Sequence, residues 1–154
     1  MKAVLMSISS SHNAFIERRL KTSELRTRPP KLKPPFKVYT YESGILGRQK
    51  VVNEWICKDM EIWRICMGIP AHLSKRAFVS NDYIWIYSNK GKKDITEMQI
   101  SDLIIYDKPK ELGEFRQCHK CEYLSHCKDG EYSCDGTHRL TRPPQSWCYV
   151  EEVV

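Results

Sequence analysis

Apolar and polar positions alternate with period two over several short stretches, and only a few runs follow a helical period. Lys2 to Ile8 is apolar and partly β-branched and predicts a first strand. Ser9, Ser10 and Ser11 then offer caps for a helix from about His12 to Arg19, with Ala14, Phe15 and Ile16 as its sparse apolar residues. Thr22 to Arg28 predicts a second strand, with Thr22, Glu24 and Arg26 on one face and Lys21, Ser23 and Leu25 on the other. Strands follow at Phe36 to Glu42, where Val38, Thr40 and Glu42 alternate against Tyr39 and Tyr41. Another runs from Lys50 to Cys57, where Val51, Asn53, Trp55 and Cys57 share a face. Pro70 and AHLSKRAF predict a short helix. Tyr83 to Tyr87 and Ile100 to Tyr106 read as further strands, a helical turn follows Pro109, and Trp147 to Val150 closes the chain as a strand.

About six strands with two or three short helices give an α+β fold class dominated by non-local sheet. A small β-barrel or a strongly curled sheet manages the edges of such a sheet. The 154 residues are read as a single domain, 1–154, interrupted by a Cys-rich insertion at about 116–140. No apolar run is long enough to cross a bilayer, and MKAVLMSIS is too short for a signal peptide, so a cytoplasmic protein with no membrane partner is expected, with a monomer as the default.

Charge sharpens this picture. Between Glu17 and Lys37 eight basic residues stand against Glu17 and Glu24, so this stretch alone carries the whole net charge of +6. Within it, RTRPPKLKPPF holds two Pro-Pro pairs and predicts a stiff, extended basic arm carrying Arg28, Lys31 and Lys33. Charge concentrated in this way is the electrostatic footprint of a polyanion, which points to RNA or a nucleotide as partner. An acidic protein meets the same footprint, so a protein-interaction module is an alternative.

Cysteines divide into two groups. Cys57, Cys66 and Cys148 stand singly among apolar residues and are read as small core hydrophobes. Cys118, Cys121, Cys127 and Cys134 fall within 17 residues, the first two as Cys-x-x-Cys. Four thiolates at this spacing, in a segment with little apolar content of its own, suit a structural zinc site whose binding energy helps to order the loop, with an iron–sulfur cluster as the alternative.

The order of strand, helix, LKTSELR, KVYTYES and KVVNEWIC resembles the ASCH family of PUA-like β-barrels, and QISDLIIYDKPKEL and RPPQSWCYVEE extend the resemblance over nearly the whole chain. Lys21, Glu24 and Arg26 match the family's Gly-x-Lys-x-x-Glu-x-Arg signature, with Arg19 at the glycine position. The resemblance implies a PUA-like barrel that binds nucleic acid, most often RNA, in a cleft beside the first helix. Lys21, Glu24 and Arg26 are the expected ligand contacts, Arg28, Lys31 and Lys33 the expected phosphate contacts, and Tyr41 and Trp147 the favoured stacking residues among the strand aromatics. His12, at the start of the helix, also borders this region.

Enzymatic alternatives follow from the same resemblance. Some small ASCH proteins hydrolyse N4-acetylcytidine with a lysine and a threonine of the signature, and others are ribonucleases. Lys21 matches the lysine, while Glu24 stands at the threonine position and Thr22 and Ser23 are the nearby hydroxyls; for a ribonuclease a lysine and a carboxylate serve as acid and base, which makes Lys21 and Glu24 the candidate catalytic pair.

Overall fold

Strand β1 (Ala3–Ser9) sets the centre of the fold because both of its faces are apolar. Val4, Met6 and Ile8 enter one core, while Ala3 and Leu5 enter a second core on the opposite face. The computed structural model describes residues 3–117 and 139–152. Helix α1 (Ser10–Glu17) follows without a linker and ends two residues earlier than its apolar pattern predicts. The stop is a Schellman motif: Leu20 N–H donates to the Phe15 carbonyl and Arg19 N–H to the Ile16 carbonyl. Arg19 holds the left-handed conformation of that motif at φ 61°, a place where glycine is usual. The glycine position of the signature is thus a helix C-terminus, and arginine fills it against a penalty of roughly 1 kcal/mol.

Among the described residues seven strands form one sheet in the order β2-β5-β4-β3-β1-β7-β6. The short β2 (Ser23–Arg26) lies at one edge, paired to β5 (Ile95–Lys110). β3 (Phe36–Ser43) runs parallel to β1 and antiparallel to β4 (Val51–Trp63). β6 (Phe115–Gln117) and β7 (Trp147–Glu152) complete the other side of β1. The α+β small-barrel expectation holds, with the qualification that the sheet curls without closing. From the edge strand β2 the Arg26 side chain reaches to β1 and to the residue before β7. Its Nη2 donates to the Ser7 carbonyl at 3.0 Å and its Nη1 to Ser146 Oγ at 2.9 Å.

Register bears out the alternation in β3: Val38 packs inside the curl with Val4, Met6, Ile16, Trp55 and Cys57, while Tyr39 and Tyr41 pack on the opposite face with Leu5, Phe115 and Val150. In β4 the shared face is broken. Thr40 pairs with Asn53 and Tyr41 with Val51, so a bulge at Val52 moves Val51 to the second core while Trp55 and Cys57 stay in the first. β4 and β5 both run further than their alternation predicts, as a long bulged pair.

The stretch Tyr83 to Tyr87, which reads as a strand, is instead helix α3 (Asn81–Tyr87). Its β-branched and aromatic content misleads, and cap chemistry decides: Ser80 Oγ accepts from Tyr83 N–H at 3.0 Å, and Ile84 alone of the helix is buried. With α2 (Ala71–Ala77) it covers a third apolar cluster of Leu25, Ile65, Leu73, Ala77, Ile84 and Ile95 on the outside of β2 and β5. Cys57 is fully buried as expected, its thiol pushed up to about 12 first by burial, but Cys66 is exposed and Cys148 only partly buried. No helix among the described residues is long and apolar enough to cross a membrane.

Candidate functional site

The signature residues meet where α1, β2 and the α2–α3 turn converge. Two ring contacts bridge α1 to the turn: His12 to Tyr83 at 5.5 Å and Phe15 to Phe78 at 4.7 Å. Beneath them lie Lys21, Glu24 and Arg26. Strand alternation places Lys21 on the opposite face from Glu24, yet Lys21 precedes β2, and the end of α1 turns it inward because both Leu20 and Lys21 N–H groups return to the Phe15 carbonyl. Its buried Nζ donates to the Ala77 carbonyl at 2.7 Å.

Glu24 is almost wholly enclosed and poorly partnered. One oxygen accepts from Leu25 N–H at 3.1 Å and lies 3.9 Å from Arg26 Nε, while Oε2 has no hydrogen-bond partner among the described residues. Arg26 Nε and His12 Nδ1 are also buried and unpartnered. Burial pushes the Glu24 carboxyl up, but Lys21, Arg26, His12 and the Leu25 N–H together outweigh it and hold the group below its usual range. Burial is the first cause that lowers the Lys21 amine and the His12 ring; Glu24 opposes it at both, while Arg26 adds repulsion at both and Lys21 adds it at His12. Burial raises the Tyr83 phenol, with the Glu24 charge second. An ionised carboxylate accepts only, so the vacant edge of this cluster calls for a donor.

The structure thus brings together Lys21, Glu24, Arg26 and His12, and adds Tyr83, which the sequence pattern hid in an apparent strand. It does not bring Tyr41 there: Tyr41 is buried on the face of the sheet opposite α1, and its hydroxyl donates to Gln49 Oε1 at 3.0 Å. Trp147 serves the arm. Its Nε1 donates to the Arg28 carbonyl at 2.7 Å, and Tyr149 Oη accepts from Lys31 N–H at 2.9 Å, so the two aromatic side chains pin the arm along β7. Arg28, Lys31 and Lys33 are exposed, whereas Lys37 is absorbed by Glu54 at 3.0 Å. The Pro34–Pro35 bond within the arm is cis. Cys118, Cys121, Cys127 and Cys134 lie outside the described residues; among those described, no group of metal-ligating side chains could hold a metal ion.

A second polar cluster sits farther along α1. Asn13 donates to Glu42 at 2.7 Å, Asn53 donates to Asn13 at 2.8 Å and to Glu17 at 3.1 Å, and Arg48 reaches both carboxylates. Glu42 is also held by the Arg48 backbone N–H and Nε.

Solved structures share this architecture. The ASCH protein of Zymomonas mobilis superimposes with a TM-score of 0.69 at 17% identity, covering 97% of this chain and 87% of that one. Two single-substitution variants of the same protein match with TM-scores of 0.69 and 0.68 at 16% identity, over 98% and 97% of this chain and 91% and 88% of theirs. No protein-family model matches the sequence, and no curated protein matches it. The chain has the ASCH fold, as its motif order predicts.

Proposed function

We propose that the junction of α1, β2 and the α2–α3 turn binds one nucleotide of an RNA strand, with the pinned arm contacting the flanking phosphates. The observation that carries this reading is the trio of buried, unpartnered atoms in one cluster: His12 Nδ1, Glu24 Oε2 and Arg26 Nε. Buried polar groups are ordinarily satisfied, and a group of exceptions at one place asks for a ligand. A nucleobase answers it: an amino or imino N–H donates to Glu24, and an adjacent acceptor receives from Arg26. Tyr83, on the rim, supplies a ring on which the base stacks once its contact with His12 parts. Arg28, Lys31 and Lys33 carry the phosphates.

Hydrolysis is the weaker reading of the same cluster. Its hydroxyls are poorly placed, since Thr22 is exposed and Ser23 points to the face of β2 opposite Glu24.

Fluorescence anisotropy of a labelled single-stranded RNA across a salt series tests the proposal. Affinity is expected to fall with salt, and Lys31→Ala with Lys33→Ala is expected to flatten the logarithmic slope by roughly one per lysine. Glu24→Gln is expected to weaken binding at least ~10-fold, since a base hydrogen bond to a charged group contributes about 1.5–3 kcal/mol, with the slope unchanged. Absence of binding at low salt, or indifference to Glu24→Gln, would overturn it.

A further inference from the structure

Beside this junction, past the end of α1, is a pocket of about 200 Å³ that the nucleotide reading does not use. That volume is below the ~300–1,000 Å³ of sites for larger organic ligands, so the pocket suits a fragment such as one sugar. Arg19 and Thr22 form its wall on the α1 side, Ser101 and Asp102 the wall on β5, and Ile16 and Leu103 supply apolar surface. Lys21 also lines it, which makes the pocket and the junction neighbours along the same loop.

Its two charges have opposite signs and do not meet. No ion pair joins Arg19 to Asp102, and beyond its backbone N–H bond to the Ile16 carbonyl Arg19 makes no hydrogen bond or ion pair among the described residues. Asp102 exchanges a hydrogen bond only with Ser101 Oγ, at 3.1 Å. Both residues adopt the left-handed backbone, at φ 61° and 50°, where non-glycine residues are strained. An exposed cation and an exposed carboxylate thus line one small cavity without neutralising one another.

Resting on the nucleotide reading above, we propose that this pocket takes the ribose and phosphate adjoining the bound base, and that Asp102 selects RNA over DNA. The chemistry singles out one group. Inside a nucleic-acid strand the phosphates and the sugar ring oxygen only accept hydrogen bonds, and the 2′-hydroxyl is the one donor on the backbone. A carboxylate beside the strand meets repulsion unless it accepts from that hydroxyl, as acidic residues do at the ribose of dinucleotides. Arg19 pairs with the phosphate, and Ile16 and Leu103 lie against the sugar ring. The Thr22 and Ser101 hydroxyls, which donate to the Arg76 carbonyl at 3.4 Å and the Ile56 carbonyl at 3.2 Å, keep lone pairs that accept from the sugar.

Matched RNA, DNA and 2′-O-methyl RNA strands of one sequence, titrated against the wild-type protein, Asp102→Gly and Arg19→Gly, decide the matter. Glycine suits both positive-φ positions, so neither variant strains the backbone, and thermal melts verify folding. Wild type is expected to prefer RNA at least ~10-fold, the loss of one charged hydrogen bond, with 2′-O-methyl RNA binding like DNA. Asp102→Gly is expected to bring RNA down to the level of DNA. Arg19→Gly is expected to weaken both strands several-fold and to reduce the salt slope by about one. An RNA preference that survives Asp102→Gly, or a wild type that binds RNA and DNA equally, overturns the ribose assignment and leaves the nucleotide site standing. A wild type that binds no strand overturns both.

Discussion

Helix α1 touches two buried polar clusters, and they differ in how far their groups are satisfied. Around Glu42, donors converge from Asn13 and from three nitrogens of Arg48. Around Glu24, one backbone N–H donates and one oxygen is left over. Both clusters contain glutamate, arginine and a polar residue of α1, so composition does not separate them. Satisfaction does. The Glu42 carboxylate is held on both oxygens, with Asn53 Oδ1 left over beside it among the described residues, whereas the Glu24 carboxylate itself keeps one oxygen unpartnered.

Exchanging the roles of the two carboxylates is the strongest way to break this contrast. Glu42→Ala leaves the Asn13 amide buried with one donor fewer satisfied, and is expected to lower stability by about 2 kcal/mol with RNA affinity unchanged. Glu24→Gln is expected to reverse the pattern, with the larger effect on affinity and the smaller on stability. Chemical denaturation beside the anisotropy titration reads both. Equal stability losses with equal affinity losses would dissolve the distinction.

Acid separates the clusters next. The His12 ring is held below its ordinary 6.5, so the folded state favours the neutral form, and the unfolded chain binds the proton first. Stability is therefore expected to decline as pH falls through and below about 6.5. Glu24 and Glu42, both held below 4.5, add a second decline at lower pH, since the unfolded carboxyls protonate before the folded ones. Melting temperature against pH is expected to show both limbs in wild type. His12→Gln is expected to remove the first and keep the second, and an unchanged first limb would place the titration elsewhere.

The smallest expected effect concerns the arm. Trp147→Phe removes the bond to the Arg28 carbonyl and keeps most of the ring packing, and is expected to lower stability by about 1 kcal/mol. Binding at low salt is expected to weaken by only a few-fold, because the charges stay and only their placement loosens. A loss as large as that of Glu24→Gln would show that Trp147 itself touches the ligand.

Much of the fold was legible because burial on one face writes period two into a strand. Val38 against Tyr39 and Tyr41 is such a case, and the motif order anticipated the ASCH architecture. The site was legible where a signature was local, at Lys21, Glu24 and Arg26. It was illegible where tertiary geometry supplies the residue. Tyr83 lies in a segment whose side chains suit a strand, and a serine cap made it helical. Tyr41 carries the right ring for stacking, but the β3 register turns it to the other face. Lys21 escapes strand alternation because the helix end, and not the strand, orients it.

Arg26 has a further consequence. A sheet joined only by backbone ladders is indifferent to what its side chains hold, but here a guanidinium, together with the Trp147 and Tyr149 bonds to the arm, ties β2 and the chain after it to β1 and β7. The group whose free Nε faces Glu24 also rivets β2 to Ser7 and Ser146. If the proposed site is occupied, its occupancy and the hold of Arg26 on β1 and Ser146 are expected to change together. A ligand that draws on Arg26 tightens or slackens the seam, so amide exchange along β1 and β7 would register what is bound beneath α1.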